Sequence, residues 1–156
     1  MPKTTTKEFW NRVGNVTAGM LSGTDMTPRP MAHQMRDADN ALWFITAKQT
    51  DVALAAAKGV QAQHTLACAH AQVYAAIDGT LSIETSKEIL DDLWSPMAAV
   101  WFEDGREDDD ICLVRFTPSH AEVWLTDGGA KAMFEFAKAA LGDDTPDLGD
   151  HAVLQF

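Results

Sequence analysis

The sequence predicts a mainly β fold, an antiparallel barrel of six or seven strands with helices inserted between them. Three observations lead there. Alternating or wholly apolar runs of strand length recur along the chain, separated by turn residues. Two hairpins follow each other near the start, which makes a meander. The helical segments fall at irregular intervals, without the strand–helix–strand repeat of a doubly wound sheet. At 156 residues, with 46% hydrophobic and 22% charged residues, the chain fits one domain, 1–156, with one core.

Thr5 and Glu8 form a capping box, and Phe9, Trp10 and Val13 give an apolar stripe at helical spacing. A helix is expected over about residues 5–13, ended by Gly14 and Asn15. A strand follows over Val16–Leu21, and Ser22-Gly23-Thr24-Asp25 turns the chain. The return strand carries Pro28 and Pro30, which lack an N–H. It must therefore lie at an edge or have an interrupted ladder. Met31–Met35 continue it, Asp37-Ala38-Asp39-Asn40 turn, and Ala41–Ala47 (ALWFITA) has the pattern of a strand buried on both faces.

Thr50–Lys58 is capped at its start, rich in alanine and closed by Gly59, so it is expected to be a helix. Strand character resumes over Val60–Ala69 and Gln72–Thr85, joined through Ala69-His70-Ala71, with Asp78-Gly79 marking a turn or a bulge. Ser86–Trp94 is a second capped amphipathic helix, broken by Ser95-Pro96. Met97–Phe102 is a short apolar segment of helical character, and Glu103–Asp110 (EDGREDDD) is a solvated loop. Ile111–Thr117 and Ala121–Thr126 are expected to form a last hairpin turned at Pro118-Ser119-His120. Gly128-Gly129 leads into a helix over about Ala130–Leu141, and His151–Phe156 alternates as an added edge strand would.

Composition excludes several function classes. The net charge is −11, and the 12 Lys and Arg are scattered. Such a field repels a nucleic-acid backbone, whose binding rests on clustered cations. The first residues lack an apolar stretch of signal-peptide length, and no run approaches the roughly 20 apolar residues that span a bilayer. A cytoplasmic protein without nucleic-acid or membrane partners is expected, with Cys68 and Cys112 as free thiols. Zinc and nucleotide-loop motifs are absent. On a strand, His64, Cys68 and His70 would share one face but span about 20 Å, too far for one metal ion. No metal site and no catalytic acid or base can be named.

One constellation remains. Arg29-Pro30-Met31, Trp43-Phe44-Ile45-Thr46 and Thr50 belong to two neighbouring strands and the helix start after them. Exposed backbone beside the prolines suits the polar edge of a flat ring. The Thr46 and Thr50 hydroxyls, with the helix N–H groups, suit a phosphate, and Arg29 or Lys48 would add positive charge. A strand pair and an ordinary helix cap explain the same residues without a ligand.

The ordered set EFW in the first helix, AGML, RPM, LWFIT, Leu93-Trp94-Ser95-Pro96 with Trp101-Phe102, TP…AEVW and Pro146-Asp147-Leu148-Gly149 spans nearly the whole chain. It resembles the general stress protein branch of the pyridoxamine 5'-phosphate oxidase-like flavoproteins. The resemblance implies an FMN-binding split β-barrel that is a homodimer, with FMN (in some members FAD or a deazaflavin) at the subunit interface. It implies flavin contacts at Arg29, Pro30, Met31, Phe44, Ile45, Thr46 and Thr50. It also offers Trp94, from the partner subunit, to the isoalloxazine; closing the barrel end is that residue's alternative role.

This chain departs from the family at one place. Relatives commonly carry a lysine two residues after the helix-start hydroxyl, where it neutralises the phosphate; here Asp51 and Val52 follow Thr50. Lys48 is then the residue left to compensate. The expectation is a flavin-binding protein, in function a flavin-dependent oxidoreductase of stress response. The alternative is a non-enzymatic flavin sensor or carrier, or a dimeric module with a degenerate pocket. Pyridoxamine 5'-phosphate oxidation itself is not expected, because the C-terminal part lacks a matching arginine–histidine set for that substrate.

Overall fold

A computed structural model describes residues 6–37, 39–127, 129–142 and 149–156. Thr5 of the expected capping box, Ala38, Gly128 and the Pro146–Leu148 part of the last motif lie outside the described residues. Seven antiparallel strands form one sheet that curls into a half-barrel, in the order β2-β1-β4-β5-β6-β3, with β7 also paired to β6. The strands are β1 (Gly19–Gly23), β2 (Met26–Met31), β3 (Leu42–Ala47), β4 (Gln61–Cys68), β5 (Val73–Glu84), β6 (Ile111–Thr126) and β7 (Gly149–Gln155). The helices are α1 (Thr6–Val13), α2 (Asp51–Ala57), α3 (Lys87–Leu93), α4 (Pro96–Ala99) and α5 (Gly129–Leu141). None of the described helices is long and apolar enough to cross a membrane.

Alternation decides the faces. In β4 and β5 every second side chain turns inward, so that Leu66, Ile77 and Leu81 meet Leu21, Val114, Phe116 and Val123 in the barrel interior. The β3 strand is buried on both faces at its start, as its continuous apolar run requires. Phe44 joins the interior, while Trp43 packs outside with Leu93 and Leu113. The helix α1 lays Phe9 and Val13 on the core. It is held there by the Arg12 guanidinium, which donates to the carbonyls of Gln72 (2.8 Å) and Thr126 (3.0 Å). The α2 helix starts at the Thr50 cap and buries Val52, Ala53, Ala55 and Ala56. Cys68 and Cys112 are both free.

Two expectations need correction. Pro118-Ser119-His120 is not a hairpin turn: β6 runs unbroken for 16 residues. It pairs with β5 along its length, with β3 beside its first half and β7 beside its second. Asp78 faces His120 while Gly79 faces Pro118, so Ser119 is an extra residue and the site is a β-bulge. Gly79 is required there, because a Cβ would lie 2.4 Å from the Thr117 carbonyl oxygen and 2.9 Å from the Phe116 ring. The β2 strand also stops at Met31 instead of running to Met35; beyond it, only Gln34 makes a bridge, to Trp43. Of the two alternatives for the proline-bearing strand, the edge is observed.

Candidate functional site

A cleft of about 460 Å³ opens between two walls. One wall is Pro30, Met31, Ala32 and Gln34 from the end of β2, with Ile45, Thr46, Ala47 and Thr50 from β3 and the α2 cap. The other is Ser95, Met97, Ala98, Trp101 and Phe102 around α4. Local sequence explains both walls. Prolines hold the edge strand extended without N–H groups to pair. Ser95 caps α4, accepting from the Ala98 N–H at 3.2 Å, and Pro96 occupies the first helical position. The α4 turn is too short to bury its own side chains, so Met97 (66% exposed) and Trp101 (79%) stand at the cleft mouth.

The polar end is a pair of hydroxyls. Thr50 Oγ1 donates to the Ala47 carbonyl (2.9 Å) and accepts from the Ala53 N–H (3.2 Å). Thr46 Oγ1 lies 3.0 Å from it. With its hydrogen spent on Ala47, Thr50 accepts from Thr46. A ligand acceptor draws a donor from this end by turning the Thr46 hydroxyl toward the cleft. Among the described residues, no lining side chain titrates near neutral pH.

The sequence-predicted residues separate clearly. Pro30, Met31, Ile45, Thr46 and Thr50 are brought together in the lining. Arg29 is not in the lining: its Nη1 binds Asp51 Oδ2 at 2.7 Å, and its Nε and Nη2 bind Thr27. Phe44 is fully buried, with its ring 5.2 Å from His64, and is not in the lining. Lys48 lines a different cleft, with Arg106 and Cys112. Trp94 packs on Phe102, ring centroids 6.1 Å apart, and takes no part in the lining of its own chain's cleft. Sequence reasoning missed Gln34 and the α4 wall, above all Trp101. The available signal was an apolar segment after Ser95-Pro96 with too few residues to form a packed helix.

Behind the cleft, His33 and His64 form a buried pair. His33 Nε2 lies 3.1 Å from the Val13 carbonyl and so carries its hydrogen; His33 Nδ1 then accepts from His64 Nε2 at 3.0 Å. His64 Nδ1 is left buried without a partner among the described residues. Burial pushes both histidines below their usual range, His64 to about 3. Burial also pushes the Cys112 thiol up. A wider cleft of about 700 Å³ beside α1 is lined mainly by polar side chains such as Asn11, Asn15, Asp37 and Asn40, and holds none of the predicted site residues.

Comparison with known proteins agrees with this architecture. No curated protein matches the chain. A proposed general stress protein 26 from Jannaschia sp. CCS1 is 44% identical over 97% of this chain and 98% of its own, with a TM-score of 0.91. The general stress FMN/FAD binding protein from Xanthomonas citri is 28% identical over 79% of this chain and 89% of its own, with a TM-score of 0.70. General stress protein 26 from Bacillus anthracis, 18% identical over 75% of this chain and 91% of its own, shares the fold at a TM-score of 0.65. The family model described as pyridoxamine 5'-phosphate oxidase like matches residues 4–147. The half-barrel, its proline-edged cleft and this match together place the chain in the pyridoxamine 5'-phosphate oxidase-like family.

Proposed function

We propose that this chain binds a flavin, FMN first and FAD or a deazaflavin as related forms, in the cleft between the β2–β3 wall and α4. The observation that carries the reading is the cleft itself: a strand edge, an apolar and aromatic wall, and a hydroxyl pair at one end. Its volume falls within the roughly 300–1,000 Å³ usual for small-molecule sites. A flavin has the matching parts, a flat ring with a polar edge and a hydroxylated tail. Pro30–Ala32 would border the ring, Met97 and Trp101 would cover it from water, and Thr46 and Thr50 would hold the tail. When bound, the flavin supplies electron and hydride transfer, while the protein supplies binding and electrostatics. Among the described residues the lining has no titratable acid or base to offer, which suits a reaction carried by the cofactor. The Xanthomonas citri relative, described as binding FMN/FAD, supports the same ligand class.

A homodimer in the cytoplasm, acting as a stress-linked reductase, completes the proposal. Exposed Met97 and Trp101 at the cleft mouth, with exposed Val100 next to Trp101 in the chain, are the surface a second copy would cover. The second reading, a flavin sensor or carrier, draws on the same absence of titratable groups in the lining. Titration with FMN, followed by quenching of flavin fluorescence, tests the proposal. Saturable binding at micromolar concentration is expected; no binding at tens of micromolar overturns it. Reduction of the bound flavin by NADH or NADPH then separates reductase from carrier.

A further inference from the structure

The tail end of the cleft is unusual in its charge. A phosphate monoester carries about −1.5 to −2 at neutral pH. Among the described residues, the lining contains no Lys, Arg or His to meet it. The nearest cation along β2 is Arg29, and three of its donors are engaged: Nη1 with Asp51 Oδ2 at 2.7 Å, and Nε and Nη2 with Thr27, both at 3.1 Å. Val52, at 1% exposure, belongs to the core and brings no charge. Lys48 lines the cleft on the Arg106 side. The chain's net charge of −11 adds a background that opposes anions.

We infer that the Arg29–Asp51 ion pair makes the tail end of the cleft electrically neutral, so that the site selects flavins by ring and sugar-alcohol chain and gives a terminal phosphate little premium. Riboflavin therefore binds nearly as well as FMN. This inference rests on the flavin reading of the cleft. The physical reason is an exchange. A phosphate at the tail end meets either a guanidinium whose charge is already matched by Asp51 at 2.7 Å, or one that has turned away and left the carboxylate facing a dianion without a partner. The ring and the ribityl hydroxyls meet no such opposition. Asp51 is exposed enough to be changed without disturbing the core, and it is the residue that sets the discrimination.

The experiment compares dissociation constants for riboflavin and FMN on the full chain, by fluorescence quenching in low-salt buffer, for the wild type, Asp51→Asn and Arg29→Gln. In the wild type the two ligands should differ by less than about tenfold, the factor that 1.4 kcal/mol represents. Asp51→Asn frees the guanidinium and should shift the ratio about tenfold toward FMN, with riboflavin unchanged; Arg29→Gln leaves a bare carboxylate and should shift it the other way. A wild-type preference for FMN above about tenfold, or a ratio that neither variant moves, overturns the inference while leaving flavin binding intact. Failure to bind either ligand overturns the flavin reading itself, and this inference with it.

Discussion

Acidification from about pH 7.5 to 4.5 forces the buried histidine pair to choose between staying neutral and unfolding. His64 is fully buried against Phe44, Phe116 and His33, and its Nδ1 has no acceptor nearby for an added hydrogen. In the unfolded chain it takes up a proton near 6.5; in the fold it holds off until about 3. Stability from this group is therefore complete above about 6.5 and is lost as pH falls toward 3. At about pH 4.5 the unfolded state is favoured by two pH units of proton binding, about 2–3 kcal/mol. His33, also lowered by burial, adds a loss of the same sign. Against a total stability of roughly 5–15 kcal/mol this is a large effect. Urea denaturation at both pH values, for the wild type and His64→Leu, measures it, because the carboxylates titrate in both proteins and cancel. The wild type should lose about 2–3 kcal/mol more than the variant on acidification. Equal losses would refute the burial argument.

Three further changes separate fold from site. Thr50→Ala removes the α2 cap, so the urea midpoint should fall by the equivalent of about 1 kcal/mol. Gly79→Ala places a methyl group against the Thr117 carbonyl and the Phe116 ring at the bulge; a loss of about 1–3 kcal/mol by overpacking is expected in thermal unfolding, and an unchanged Tm would contradict the geometry. Trp101→Ala removes an indole that is mostly in solvent, so stability should stay within about 0.5 kcal/mol. Its FMN dissociation constant, read by fluorescence quenching, should rise about tenfold, the range of one aromatic contact.

The parts of the fold that follow local periodicity were legible in the sequence. The alternation of β4 and β5, the double-sided burial at the start of β3 and the Thr50 cap all appear where the residues place them. The miscounted hairpin shows the limit. Pro118, Ser119 and His120 are turn residues, but a bulge uses the same residues. Only the register of β5, fixed on both sides of Asp78-Gly79, decides between the two. The early end of β2 has a similar cause: beyond Met31 the chain leaves the strand and turns His33 inward to His64, a partner 31 residues away. The site divides the same way. Pro30, Met31, Thr46 and Thr50 converge because adjacent elements carry them. Arg29 and Asp51 meet across 22 positions, and the direction of the Lys48 side chain depends on how the loop from β3 to α2 packs. Trp101 gave no periodic signal, because a single turn of helix has no face to bury.

A crystal structure of the protein grown with FMN shows whether the flavin occupies the cleft between β3 and α4. The isoalloxazine ring is expected between Pro30–Ala32 and the α4 wall, with the tail toward Thr46 and Thr50. Flavin density in the wider cleft beside α1, or a cleft between β3 and α4 that stays free of ligand at saturating FMN, would contradict it.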